Sequence, residues 1–119
     1  MAMDHLVEAL TKMIENGFKF QPPEGDHRAV VTVIVETTPE HYVFNVEDNG
    51  VGFPAGDLAP CLELFGRMHS RDEYEGVGLG LAVCKEIAEL YAGQVKLERL
   101  IGKGSRVSLF IPRKENVEP

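Results

Sequence analysis

The sequence has no tryptophan, only two cysteines, and 12 lysines and arginines against 19 aspartates and glutamates. Each shortage excludes something. Cys61 and Cys84 stand alone, without a CxxC pair or a histidine at metal-ligand spacing, so reduced thiols are expected rather than a zinc site or a disulfide framework. The shortage of cations leaves a net charge of −7. That argues against a binder of nucleic acid or anionic membrane, since both require a positive field. No apolar run approaches the ~18 residues of a membrane-spanning helix, and no signal-peptide pattern opens the chain. A cytoplasmic domain without membrane contact of its own is the expectation. A hydrophobic content of 44% excludes a disordered chain, and 119 residues leave no room for a second domain of ordinary size.

Glycine is what the chain has in quantity. Seven of its 12 glycines fall in three G-x-G clusters, Gly50/Gly52, Gly76/Gly78/Gly80 and Gly102/Gly104. Charge is equally uneven: residues 1–60 hold 3 Lys/Arg and 10 Asp/Glu, whereas residues 61–119 hold 9 of each, so the whole excess lies in the first half.

Periodicity places the elements. Leu6, Leu10, Met13, Ile14 and Gly17 recur at helical spacing over 4–20, with Asp4 as a candidate cap and Lys12, Asn16 and Lys19 near one polar stripe. Arg28–Thr37 is rich in β-branched residues on both parities and predicts a strand covered on both sides; His41–Asp48 follows as a second strand. Asp57 is placed to cap a short helix through Phe65, and 66–75 reads as a polar loop. From the second glycine cluster a helix runs through Leu79, Val83, Ile87 and Leu90 to Gly93, which is expected in the left-handed C-terminal position. Gln94–Arg99 and Arg106–Ile111 complete the set. The order predicts an α+β two-layer sandwich, a mixed β-sheet with helices on one face.

Two glycine clusters carry the chemistry. Asp48-Asn49-Gly50-Val51-Gly52-Phe53 suits a tight hairpin. Pro54, Gly56 and Pro60 follow in place of a partner strand, however, which opens a second reading: a loop whose backbone approaches a flat ligand beside a carboxylate able to accept from an exocyclic amine. Gly76-Val77-Gly78-Leu79-Gly80 runs into a helix start, where free N–H groups favour phosphate, although a hinge packed on the sheet explains it equally. Arg67, His69 and Arg71 make a charged loop or a lid. Asn16 and Lys19 are ordinary helix-surface residues alone; together they offer an oxygen to Mg²⁺ and an ammonium to a phosphate.

In combination these segments resemble the catalytic and ATP-binding domain of sensor histidine kinases, a member of the GHKL superfamily with the Bergerat fold. Asn16-Gly17-Phe18-Lys19-Phe20 resembles its N box, Asp48–Phe53 its G1 box, Leu64-Phe65-Gly66-Arg67 its F box, and Gly76–Leu81 its G2 box. Gly102–Ser105 resembles its last turn, and the lid at 67–74 is most similar to that of bacterial phytochrome-related kinases. The resemblance implies that Asp48 receives the adenine amine, Gly52 lines the adenine edge with Gly50 also among the nucleotide-binding residues, Ser105 supports that polar end, and Phe20 packs near the base. It implies further that Asn16 ligates Mg²⁺, that Lys19 and Arg67 meet the phosphates in the catalytic roles, and that Gly76, Gly78, Leu79 and Gly80 form the phosphate-binding helix start.

Two departures matter. Lys12 stands one turn before Asn16, where histidine kinases often carry a second Asn and gyrase-type ATPases a general-base Glu; a lysine neither ligates Mg²⁺ nor takes a proton from water. It either adds charge near the phosphates or faces solvent. His5, His27, His41 and His69 all lack the phosphoacceptor context, which implies a segment of a larger kinase, with Met1-Ala2 as a start remnant. The expected partners are then ATP, a dimerisation domain bearing the phosphoacceptor histidine, and a response regulator. A non-catalytic nucleotide-responsive module and a serine kinase of the anti-sigma-factor type are the alternatives.

Overall fold

A computed structural model describes residues 1–19, 21, 28–53, 58, 62, 78–100 and 104–113. Helix α1 covers Met3–Lys19, and strands β1 (Val31–Thr37) and β2 (His41–Asp48) follow. Helix α2 covers Gly78–Leu90, and β3 (Gln94–Arg99) and β4 (Ser105–Pro112) complete the described elements. The helix and strand expected from the sequence are thus present in order. The short helix expected at 57–65 and the lid at 67–74 lie outside the described residues, apart from Leu58 and Leu62.

The strand order is β1-β2-β4-β3, and all three pairings are antiparallel. The two-layer α+β class therefore holds, while the mixed sheet is corrected among the described strands. The reason lies in the connections. β1–β2 is a local reversal over Thr38-Pro39-Glu40, held by Thr38 N–H to His41 O at 2.8 Å and by the Thr38 hydroxyl oxygen accepting from His41 N–H at 2.9 Å. β2 and β3, joined through α2, do run the same way, but β4 inserts between them and pairs with both.

Register sorts the faces. Val33, Val46, Val107 and Leu97 lie across from one another, as do Phe44, Leu109 and Val95, and these parities face the helices. The opposite face is polar: Arg106 bridges Glu47 and Glu98 at 2.9 Å each, Ser108 Oγ donates to Asn45 Oδ1 at 2.6 Å, and Asn45 Nδ2 donates to Glu36 at 3.1 Å. Both described helices accordingly sit on one side. Their seam is made close by small residues: Ala9, Cys84 and Ala88 are fully buried beside Met13 and Leu81, and the Cys84 thiol donates to Ala9 O at 3.4 Å. His5 Nδ1 hydrogen-bonds the Tyr91 hydroxyl at the other end of the seam. The helices therefore run antiparallel, so the C-terminal end of α1 lies beside the start of α2.

Three local expectations change. β1 is not covered on both sides: Val33 and Val35, on the helix-facing side, are 42% and 57% exposed, because β1 is an edge strand and α1 meets only its beginning, Gly17 against Val31. Its β-branched composition reflects strand propensity rather than burial. Ala2, not Asp4, accepts the first helical bonds of α1, from His5 and Leu6, and Asp4 sits in the first turn where its charge suits the helix dipole. At the end of α2 the left-handed residue is Ala92, φ 61°, not Gly93. Gly93 N–H donates to Ala88 O at 2.8 Å and Ala92 N–H to Glu89 O at 3.2 Å, the paired bonds of a Schellman cap set one residue earlier than expected. Gly93 is glycine because a Cβ there would strike the Phe110 carbonyl.

Opposite outcomes are expected at these neighbours. Ala92→Gly relieves a left-handed alanine and should raise stability by up to ~1 kcal/mol, whereas Gly93→Ala should lower it by ~2 kcal/mol or more. Urea denaturation of the two variants checks the order; a destabilised Ala92→Gly beside a neutral Gly93→Ala would contradict it.

Candidate functional site

Asp48 ends β2 on the helix-facing parity, with Ser105, the first residue of β4, directly across from it. Its Oδ1 accepts from Gly50 N–H at 2.8 Å, and the Ser105 backbone N–H also donates to the carboxylate. Burial raises the Asp48 pKa above its ordinary 3.8, and the two amide bonds oppose that rise without cancelling it. A carboxylate offers about four acceptor positions. Two amide donors therefore fix its plane and leave acceptor capacity for a third.

The strand ends meet closely here. Gly104 has φ +103°, and a Cβ on it would run into the Asp48 carbonyl, so no side chain fits. Gly52, φ +86°, packs on Gly104 in turn, whose carbonyl oxygen lies 3.2 Å from its ideal Cβ. Both residues are thus fixed as glycine by backbone conformation as well as space. Asn49 ties the approach to β1: its Oδ1 accepts from Val30 N–H at 2.9 Å and its Nδ2 donates to Arg28 O at 2.8 Å. The first cluster is therefore an open loop braced on both sides, rather than the hairpin its Asn-Gly pair also suits. The roles of Asn49 and Gly104 went unassigned in the sequence, since each depends on a segment 19 or more residues, or a whole strand, away.

α1 closes a second side. A Cβ on Gly17 would stand 2.9 Å from Val31 Cγ2 and 3.4 Å from Asp48 Cβ, which sets the last turns of α1 against the carboxylate. Asn16 precedes it, only 8% exposed, and its Oδ1 is buried with no hydrogen-bond partner. A buried carbonyl oxygen left unpaired costs ~1–3 kcal/mol, so this one fits a site that receives a donor or a cation. Lys19 is exposed in the last turn. Because the helices are antiparallel, the same end of the molecule holds the start of α2, Gly78-Leu79-Gly80. No acidic residue stands in that first turn, so no side chain of the turn itself opposes the partial positive charge of the helix start. Among the described residues, an added Cβ at Gly80 would meet nothing within 4 Å, so the glycine leaves open space beside the N–H groups.

Asn16, Asp48, Gly50, Gly52 and Ser105 are thus gathered at one end of the two layers, with Lys19, Gly78, Leu79 and Gly80 at the helix termini there. Phe20, Arg67 and Gly76 lie outside the described residues. Residues 2–115 match the family described as histidine kinase-, DNA gyrase B-, and HSP90-like ATPase. The chain belongs to this ATPase family. Phytochrome-like protein Cph1 of Synechocystis sp. is 37% identical over 107 residues, covering 90% of this chain and 14% of Cph1. The sensor histidine kinase WalK of Bacillus subtilis is 30% identical, covering 97% of this chain and 19% of WalK. Of solved structures, the mycobacterial sensor histidine kinase MprB matches with a TM-score of 0.73 at 24% identity, over 94% of this chain and 74% of that one. Full-length ShkA, in complex with AMPPNP, matches with a TM-score of 0.69 at 25% identity, over 91% of this chain and 21% of that one. This member of the ATPase family therefore spans less than a fifth of the length of the curated relatives named here.

No described helix is long and apolar enough to cross a membrane, and no cluster of three His, Cys, Asp or Glu occurs among the described residues. The Asp48 shift gives a pH dependence with a definite sign. A folded-state pKa above the unfolded value means that the folded chain holds the proton more tightly. The contribution of Asp48 is fully present below pH ~3.8 and is lost as pH rises through the raised value. Relative to the wild type, Asp48→Asn should therefore gain stability between pH 3.5 and 7; ligand-free denaturation curves that keep a constant difference over that range would contradict the assignment.

Proposed function

We propose that this chain is the ATP-binding catalytic domain of a two-component sensor histidine kinase, acting as a single unit on a histidine carried by a separate dimerisation domain. The observation that carries the proposal is the pairing of two groups at one end of the fold. The Asp48 carboxylate is held by Gly50 and Ser105 with acceptor capacity to spare, and Asn16 Oδ1 is buried without a partner immediately before Gly17, the residue that packs against Asp48. The first suits the exocyclic amine of adenine, and the second suits a hard cation.

In this reading Asp48 orients the base, with Gly50 and Gly52 along its edge, Ser105 behind the carboxylate and Phe20 against the ring. Asn16 is the protein's oxygen ligand for Mg²⁺, which when bound supplies charge neutralisation along the phosphate chain. Lys19 and Arg67 hold the phosphates, and the N–H groups of Gly78, Leu79 and Gly80, entered through Gly76, receive them at the helix start. Phosphoryl transfer demands chiefly positioning and charge neutralisation, so the domain has no need of a nucleophile of its own. The γ-phosphate passes to a histidine on the dimerisation domain and from there to an aspartate of a response regulator. Such a domain works where ATP and the regulator are, in the cytoplasm, without touching nucleic acid or membrane.

Asp48→Asn should weaken ATP binding by ~1.5–3 kcal/mol, the loss of a charge-assisted acceptor. Asn16→Ala should abolish Mg²⁺-dependent transfer while leaving adenosine affinity near that of the wild type. Calorimetry, with labelled ATP and an added cognate dimerisation domain, reads both. Unchanged ATP affinity in Asp48→Asn would refute the adenine role. ATP binding with no phosphohistidine would mean a non-catalytic nucleotide-responsive module, and acid-stable phosphate on a partner would mean a serine kinase.

A further inference from the structure

Lys12 lies four residues before Asn16 and seven before Lys19, so the three side chains share one stripe of α1. It is half-buried, and among the described residues no carboxylate comes within ion-pair distance of it; the two ion pairs between described side chains belong to Arg106. Burial pushes the Cys84 thiol up to about 12, and the largest influence opposing that rise is Lys12, with Glu8 acting the other way. Along α1, the stripe that carries Lys12 and Asn16 leads to the C-terminal end of the helix, beside the glycine-rich start of α2.

We infer that Lys12 is a further polyphosphate-binding residue, which lets this domain capture ATP with reduced dependence on Mg²⁺. The inference rests on the nucleotide reading above. Among the described residues this half-buried ammonium has no counter-ion, and an anion arriving beside it supplies one. One helical turn separates it from Asn16, about 5–6 Å between Cβ atoms, so its charge would repel a bare divalent cation held at Asn16 Oδ1. A phosphate chain satisfies both groups at once, its oxygens meeting the ammonium and screening it from the metal. Metal binding without nucleotide is correspondingly disfavoured, and the nucleotide enters first or with its metal.

The test is calorimetric binding of adenosine, ADP and ATP to the full chain and to Lys12→Gln and Lys12→Arg, each in EDTA and in saturating Mg²⁺, with thermal melts to establish folding. In EDTA, Lys12→Gln should bind ATP about five- to tenfold more weakly than the wild type, with a smaller loss in Mg²⁺. Its adenosine affinity should stay within about twofold, and Lys12→Arg should retain ATP binding. Wild-type affinity of Lys12→Gln for ATP in EDTA overturns the inference, as does an equal loss for adenosine and ATP, which marks a merely structural role. A wild-type chain that binds adenosine but no ATP in EDTA overturns it while sparing the adenine site; one that binds neither adenosine nor ATP under any condition overturns the nucleotide reading as well.

Discussion

Asp48 ends β2 with its carboxylate held by the N–H groups of Gly50 and Ser105, an arrangement that requires a glycine, Gly104, immediately before β4. Any side chain at Gly104 would displace the Asp48 carbonyl, part the strand ends and withdraw the Ser105 amide from the carboxylate. The rest of the site is hung on this contact. The loop after Asp48 leaves the sheet through Gly52, which packs on Gly104, and α1 lies on the other side through Gly17. Burial raises the Asp48 pKa, so the fold keeps a partly desolvated carboxylate at a strand end, opposed only in part by its two amide bonds. Retaining such a group is costly unless a ligand completes its hydrogen bonding, which is the physical argument for a binding role.

The second constraint is the seam between the helices. Ala9, Cys84 and Ala88 are small enough for α1 and α2 to pack closely, and the His5–Tyr91 bond fixes which ends meet. Antiparallel packing then brings a helix start to the buried Asn16 oxygen. The electrostatics are local. The net charge of −7 would oppose a polyphosphate if charges acted at long range, but beyond ~8 Å they are largely screened at physiological salt. Lys12 and Lys19 stand on the stripe of α1 that leads to the end holding the start of α2, whereas the described acids of the first half are spread over α1, the β1–β2 turn and the sheet.

Much of this was legible in the sequence because it rests on local periodicity. The stripe of α1, the alternation in His41–Asp48, and the helix beginning in the second glycine cluster all fall where their patterns place them. Asp48 could be singled out because it heads the first glycine cluster, where a carboxylate beside an open loop is able to accept from an exocyclic amine. What could not be read depends on strands meeting across the sheet. Pairing of β4 between β2 and β3 makes the sheet antiparallel, and it is also what brings Ser105 to Asp48. The edge position of β1 leaves Val33 and Val35 exposed despite a composition that reads as buried. Gly93 shows the same limit on a small scale: glycine after a helix suggests the left-handed position, but the Phe110 carbonyl is the reason for it, and Ala92 takes the turn. The four motif segments carried the family because each is contiguous, whereas the bracing by Asn49 and Gly104 is not.

In the function proposed for this chain, one end of the fold is a two-part site, with a base-recognising carboxylate at Asp48 and a phosphate-receiving helix start at Gly78–Gly80. Amide chemical-shift mapping with separate probes tests it most directly. Adenosine should perturb Gly50, Gly52 and Ser105 while leaving Gly78–Gly80 nearly unmoved, and inorganic triphosphate with Mg²⁺ should do the reverse, with Asn16 shifting in the second case. Identical perturbations by the two probes, or shifts centred on the polar outer face around Arg106, would contradict the account.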